Sequence, residues 1–292
     1  MYARAARSPL PARPAPLSAA LVRRPPQSLL LVGIDTRPTE VEVALTSLDT
    51  IATRLRMAGD ARAVFPEVYA VITRNVAAVI RAGGVFLEPA WIARLAGRFA
   101  ERYFEALIPS LTGAPVASTA WRVAFDAGRA DARIPVRDAL LGINAHINYD
   151  LAQGIADNIR AAGHADDARM LARYRHDHDA VNTILRASAP AIYDLLLTRY
   201  ACPLTWAATR SRHVNAAVTH GALRVLGGWR SDVWADMLVL LRAPDARAQG
   251  VGLRAMDRRS GRFARAFAAS NPAWIRRAAR NLVYEASALS FG

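Results

Sequence analysis

The sequence contains no lysine and only one cysteine, Cys202, among its 292 residues. A single cysteine excludes an intramolecular disulfide and any zinc cluster built from cysteines. This composition is typical of a reducing compartment, so we expect a cytoplasmic protein. No run comes near the ~20 apolar residues that a membrane-spanning helix needs, so no membrane span is predicted. Sustained alternation of apolar and polar residues is also absent, so the sequence predicts no sheet.

Because lysine is absent, all 38 basic residues are arginine, and against 24 acidic residues they give a net charge of +14. This excess favours acidic ligands or anionic surfaces without specificity. The arginines are spread along the chain, and no zinc-finger, RNA-recognition or basic-zipper signature is present. We therefore expect no specific nucleic-acid partner. The predicted partner is a small-molecule substrate, for which an anionic group would suit the charge.

The chain divides into a tail and one domain. Residues 1–40 are rich in proline and arginine without sustained periodicity, which is typical of a disordered tail. Over residues 41–292, apolar residues recur at spacings of three and four, which predicts a single all-α domain of about ten helices. Breaks between helices are expected near Gly83-Gly84, Gly113, Gly163, Pro190, Pro203, Gly227-Gly228 and Pro244.

Two polar residues four positions apart interrupt the apolar pattern of the helix predicted over residues 140–151. On a helical projection, Ile143, Ile147 and Leu151 mark an apolar arc. Asp150 lies about 20° beyond one edge of that arc and His146 about 60° beyond it. Asp150 is therefore predicted to point towards the core, with His146 at its border. A buried carboxylate is costly unless it is paired, hydrogen-bonded or bound to a metal, so we expect a partner for it.

A second carboxylate, Asp177, lies within an apolar stripe of the helix predicted over residues 170–185. We predict that Asp177 points inwards, that His178 lies at the border of the stripe and that Asp179 is solvated. If the helix continues across Gly227-Gly228, Arg230 shares an apolar face with Leu223, Leu226, Val233, Trp234 and Met237.

Three kinds of chemistry suit these polar residues. In the first, His146, Asp150 and Asp177 bind zinc, iron or manganese, because an imidazole and a carboxylate four residues apart project to one side of a helix. In the second, a carboxylate orients His146 as a general base and Arg230 holds an anionic substrate. In the third, the same residues form a buried network that fixes the helix register and does no chemistry.

Sequence signatures of other enzyme classes are missing. No Gly-x-Ser-x-Gly elbow, Walker loop or Gly-x-Gly-x-x-Gly fingerprint is present. His213 and His220, seven residues apart on a face of small residues, are further candidates for the polar centre.

The segment Leu140–Leu151, which contains the order Asn-Ala-His-Ile-Asn-Tyr-Asp-Leu, resembles the signature of the bacterial domain-of-unknown-function family DUF5995. The likeness extends from about Thr46 to Leu241, so the proline-rich N-terminus and the arginine-rich C-terminus lie outside it. Because the family's name describes no activity, the resemblance implies an all-α fold and no reaction. It draws attention to Asn144, His146, Asn148, Asp150, Asp177 and Asn182.

These observations predict a metal-dependent enzyme. We expect His146, Asp150 and Asp177 to bind a divalent metal and, together with Arg230, to be catalytic. Hydrolysis by a metal-activated water is favoured over oxygenation, because the paired Glu-x-x-His motifs of di-iron bundles are absent. Four further residues are expected to bind the substrate: Asn144, Asn148, His178 and Asn182.

The alternative is a non-catalytic helical binding or scaffold protein. In that case His146, Asp150, Asp177 and Arg230 form a buried structural network. A wide pocket beside His146 would favour the enzyme, whereas tight packing of Arg230 against the carboxylates would favour the scaffold.

Overall fold

The structure is a computed structural model that describes residues 27–129, 134–200 and 212–269, with the backbone alone for residues 212–225. These ranges contain no strand, so the predicted all-α class is confirmed. Nine α-helices occur in them, close to the expected ten: α1 (Val41–Met57), α2 (Val64–Ala82), α3 (Pro89–Thr112), α4 (Thr119–Arg129), α5 (Pro135–Ala145), α6 (Ala152–Ala161), α7 (Ala168–Tyr200), α8 (Arg212–Leu241) and α9 (Ala246–Ala269). One π-helical turn, His146–Leu151, joins α5 and α6 into a continuous rod.

Proline and glycine set several helix ends as the sequence predicts. Pro89 and Pro135 lie in the first turns of α3 and α5, where the missing N–H would have no helical partner in any case. Gly83 and Gly113 follow the last residues of α2 and α3 with φ angles of 73° and 81°. Glycine adopts such left-handed angles without steric cost, so both helices end at these glycines.

Two predicted breaks are wrong, because α7 continues through Pro190 and α8 continues through Gly227-Gly228. A proline inside a helix costs about 3 kcal/mol and a glycine about 1 kcal/mol. The packing of helices of 33 and 30 residues is large enough to offset such local costs. Continuity of α8 keeps Arg230 on the face that turns towards the domain, where it is buried.

The packed part of the chain begins earlier than residue 41. Leu30 is buried, and the Arg54 guanidinium donates to the carbonyl oxygens of Leu30 and Val32 at 3.0 and 2.6 Å. Residues 30–32, which precede α1, therefore pack against the domain. Residues 1–26 and 270–292, and also Cys202, lie outside the part that the structure describes.

The α5–α6 rod runs through the middle of the domain and contacts α2, α3, α4, α8 and α9. One apolar core, which includes Leu48 and Trp121, joins α1, α3, α4 and α5. A second core, which includes Ile155 and Met237, joins α3, α6, α7 and α8. The residues of the rod therefore face both cores, and polar side chains on it are buried from several directions.

Among the described residues, one helical segment, Ala61–Ala82, is long and apolar enough by composition to cross a membrane. Its most apolar stretch is 61% buried inside the protein, where α2 packs against α1, α5 and α7. Val68, Ala70 and Ala77 are almost completely inaccessible. The apolar side chains of this helix therefore form part of the core.

A close approach at Gly97 gives a first prediction. A Cβ atom at Gly97 of α3 would lie 2.6 Å from the backbone oxygen of Pro38, which cannot move without shifting the segment before α1. We expect Gly97→Ala to lower the free energy of unfolding by about 1–3 kcal/mol, as overpacking does. The matched control is Gly227→Ala, since a Cβ there meets nothing within 4 Å and should raise stability by up to about 1 kcal/mol. Equilibrium unfolding in urea measures both, and equal effects of the two changes would contradict the prediction.

Candidate functional site

The π-helical turn at the centre of the rod places a histidine and a carboxylate in contact. His146 Nδ1 lies 2.9 Å from Asp150 Oδ2, and the Trp121 indole N–H of α4 donates to the same oxygen at 2.8 Å. His146 and Asp150 are each 3% exposed. Asp150 therefore points into the core as predicted, whereas His146 is fully buried and does not lie at the border. Single π turns within α-helices occur frequently at functional sites.

The imidazole of His146 is surrounded by aromatic side chains. The ring of Phe99 stacks on it with 3.4 Å between centroids and 9° between planes, and the ring of Tyr69 meets it edge-on at 4.6 Å. Three further rings, those of Phe65, Tyr103 and Trp121, have centroids within 6.4 Å of it. These contacts fix the plane of the imidazole. Nε2, the nitrogen that does not contact Asp150, therefore points in a fixed direction.

Burial acts on both members of the pair. It lowers the pKa of His146 well below its ordinary value, and it raises the pKa of Asp150, an effect that the hydrogen bond from Trp121 opposes. Because an indole N–H can only donate, Asp150 Oδ2 must accept, which favours the carboxylate form. His146 then carries its proton on Nδ1 and its lone pair on Nε2. Nε2 is buried and has no hydrogen-bond partner among the described residues.

The structure does not bring Asp177 to this pair. Asp177 is completely buried, and its two carboxylate oxygens accept from the backbone N–H groups of Leu87 and Glu88, both at 2.7 Å. These amides precede Pro89, so Asp177 of α7 binds the N-terminal end of α3. The prediction that Asp177 points inwards is confirmed, but its partners are this helix end and the neighbouring His176, whose Nδ1 lies 3.0 Å from Asp177 Oδ1, and not His146.

The three-ligand metal site of the sequence prediction is therefore not assembled. Within residues 27–129, 134–200 and 212–269, no group of three His, Cys, Asp or Glu side chains is placed to hold a metal ion. A helical projection gives the inner face of each helix but not the helix that lies across from it. The side chains of His213 and His220 are outside the described part of the chain.

The asparagines of the predicted substrate site have other positions. Asn144 is completely buried; its amide donates to the backbone oxygen of Ser260 in α9 at 3.1 Å and accepts from Asn148 at 2.9 Å. This pair therefore connects the rod to α9. Asn182 is half-buried on α7. Asn144, Asn148 and Asn182 do not line the cavity beside His146.

A cavity of about 300 Å³ lies beside His146, between α2, α3, the rod, α7 and α8. Its wall is largely aliphatic and aromatic, with Val68, Ile72, Leu95, Ile143, Leu185 and Leu196 among the residues that form it. Residues with polar side chains also line it, namely Tyr69, Thr73, His146, His178, Tyr193 and Arg230. An apolar cavity of this size with a few polar groups is typical of a small-molecule site.

His178 and Arg230 form the second polar part of the wall, and His178 is 1% exposed. His178 Nε2 lies 3.1 Å from the backbone oxygen of Arg230, and Arg230 Nη2 contacts both the backbone oxygen and Nδ1 of His178. His178 is therefore a neutral imidazole that donates from Nε2 and accepts at Nδ1. Burial, together with the charge of Arg230, lowers the pKa of His178 to about 2. Burial also lowers the pKa of Arg230 to about 10, so its guanidinium stays charged at neutral pH.

Sequence periodicity did not single out two residues of this site. The available signal for Tyr69 is a tyrosine on the apolar face of α2; its buried hydroxyl has no hydrogen-bond partner among the described residues. Nothing in the spacing of the sequence indicates that Trp121 binds Asp150.

Asp177 provides a stability prediction. In Asp177→Asn, an amide –NH₂ group replaces one carboxylate oxygen and faces a backbone N–H, so one acceptor is lost in a fully buried position. We expect the free energy of unfolding to fall by roughly 2–3 kcal/mol. Asp179→Asn is the control on the same helix; its exposed ion pair with Arg175 should contribute less than about 1 kcal/mol. Chemical denaturation measures both, and a loss no larger than that of the control would show that Asp177 is not a structural anchor.

The lowered pKa of His178 predicts how stability depends on pH. The unfolded chain protonates His178 below its ordinary pKa of 6.5, whereas the folded protein does so only near 2. Falling pH therefore favours the unfolded state. Between pH 7 and pH 5 the wild type should lose about 2 kcal/mol more stability than His178→Gln. Denaturation at both pH values measures the difference, and identical losses in the two proteins would contradict the buried neutral imidazole.

No curated protein and no solved structure matches this chain significantly. The model of one protein family matches residues 41–270, a range that contains the whole cavity wall and extends into the arginine-rich segment beyond Leu241. The match covers most of the 292 residues. The chain therefore belongs to DUF5995, a family of unknown function.

Proposed function

We propose that the protein is a hydrolase for a largely apolar small-molecule ester and that His146 acts as its general base. One observation carries this proposal: the imidazole is held at Nδ1 by Asp150, while Nε2, in a residue of the cavity wall, has no partner in the part of the chain that the structure describes. A histidine oriented by a carboxylate in this way is the usual arrangement of a general base.

The cavity also favours an enzyme over a scaffold. A wide cavity lies beside His146, and Arg230 binds His178 and not the buried carboxylates. Both features are those expected of a ligand site, whereas a tightly packed network of Arg230 with Asp150 and Asp177 is expected of a scaffold.

In the reaction, His146 Nε2 takes a proton from a water molecule while the water oxygen bonds to the ester carbonyl carbon. The Asp150 carboxylate stabilises the imidazolium that forms. The carbon–oxygen bond to the alcohol then breaks, and the proton passes from Nε2 to the departing oxygen. The products are a carboxylic acid and an alcohol.

Tyr69 suits the developing negative charge on the carbonyl oxygen. Its ring lies against the imidazole of His146, and no described residue is a partner for its buried hydroxyl. Burial, together with the charge of Asp150, raises the pKa of Tyr69 well above its ordinary value, so the hydroxyl keeps its proton and can donate it in a hydrogen bond. Donors placed at such an oxygen contribute strongly to catalysis.

This proposal keeps the hydrolysis expected from the sequence but assigns the activation of water to His146. The reason is the position of Asp177, whose oxygens are bound to the N-terminal end of α3. His146 and Asp150 alone supply two metal ligands, fewer than the three that catalytic zinc sites use.

The test uses p-nitrophenyl esters with acyl chains from acetate to octanoate. We expect the wild type to hydrolyse the longer esters, and His146→Gln to reduce kcat/KM by about 10²–10⁴-fold, as loss of a general base does. His176→Gln is the control, since the His176 side chain is 53% exposed, and it should leave the rate unchanged.

Two outcomes would contradict the proposal. Equal rates for the wild type and His146→Gln would show that His146 is not the base. Saturable binding of n-octanol by a wild type that hydrolyses none of the esters would instead support a non-catalytic binding protein.

A further inference from the structure

Arg230 is a buried cation without a buried anion beside it. It is 5% exposed, and within the described ranges no carboxylate lies at ion-pair distance from its guanidinium. Its Nη2 group binds the neutral His178, and its Nε is buried without a partner. A buried charge of this kind is costly unless an opposite charge approaches it.

The neighbouring charges do not supply that anion. Asp179 acts on Arg230 from a distance and raises its pKa, while Arg175 lowers it. The Asp179 carboxylate is bound to Arg175 Nε at 2.8 Å and is about half-exposed. The two charges therefore act in opposite directions on Arg230, and neither places an anion against its guanidinium.

The cavity next to Arg230 indicates what the rest of the ligand is like. Aliphatic residues of α2, α5 and α7, including Ile72, Ile143 and Leu185, line it. Its volume of about 300 Å³ corresponds to roughly ten non-hydrogen atoms, if one water volume of about 30 Å³ is taken for each. A ligand that fits is a short aliphatic chain with one charged end.

We propose that the cavity binds an aliphatic carboxylate whose head group pairs with Arg230 and whose chain lies along the wall towards His146. Arg230 lines the cavity, and its guanidinium would donate to the carboxylate in charge-assisted hydrogen bonds. This inference rests on the proposed function only in placing the ligand in the same cavity. It also assigns a substrate class. The required carboxylate is present in an ester of a dicarboxylic acid that keeps one acid group free, and in the acid released from a simple ester.

The test compares octanoate with n-octanol, which has a nearly equal chain and no charge, by isothermal titration calorimetry at neutral pH. We expect the wild type to bind octanoate at least about tenfold more tightly than the alcohol, because only the acid forms the ion pair. Arg230→Met should abolish this preference while the alcohol still binds. Arg186→Met, a change at an exposed arginine of α7, is the control and should retain it.

Each outcome is decisive. Equal binding of octanoate and n-octanol by the wild type, or a preference that survives in Arg230→Met, overturns the assignment of Arg230 but leaves an apolar ligand site in place. Binding of neither ligand overturns both this inference and the proposed function.

A further variant covers failure of Arg230→Met to fold. Octanoate binding is then measured for two other variants. Ala189→Phe places a large side chain in the cavity wall, and Ala187→Phe places the same side chain at an exposed position of the same helix. Loss of octanoate binding in Ala189→Phe alone supports the cavity as the site, and equal binding by both variants contradicts it.

Discussion

The buried carboxylate of Asp150 is the constraint on which the rest of the site depends. It lies on the central rod, where two apolar cores meet, and it is kept there by donors from Trp121 and His146. The hydrogen bond from Trp121 ties the π-helical turn to α4. The one from His146 fixes which imidazole nitrogen is left for a ligand. Asp150 therefore links the position of the rod to the orientation of the catalytic candidate.

Buried polar residues of the domain differ in the partners of their polar atoms. Asp177 and Asn144 bind neighbouring helices, at the end of α3 and on α9, so they act in packing. Among the described residues, Tyr69, His146 and Arg230 keep buried atoms without a partner, and all three belong to the cavity wall. Trp91 and Tyr103 also have such atoms, but they lie outside that wall. The cavity is thus where unsatisfied hydrogen-bonding capacity and free volume coincide, as expected of a ligand site.

The sequence predicted the features that a single helix determines by itself, namely its apolar face and the residues on it. Periodicity gives the apolar face, so the all-α class and the inward positions of Asp150 and Asp177 could be predicted. It does not give the partner across that face, and so the association of Asp177 with His146 was wrong. Pro190 and Gly227 mislead for a related reason, because local propensity is a weak prior when a long helix packs against the domain. The cavity is formed by residues of five segments far apart in the chain, and no local pattern encodes it.

The cavity itself is an argument for a ligand. Apolar side chains that line an unfilled space lose the contacts that a filled core would make. One larger side chain in place of Ala139 or Ala189 would reduce the space, yet both positions are alanine. A bound apolar molecule offsets this loss directly, because it supplies the contacts that the wall lacks. The small side chains of the wall and the free polar atoms of His146 and Arg230 then have one common explanation.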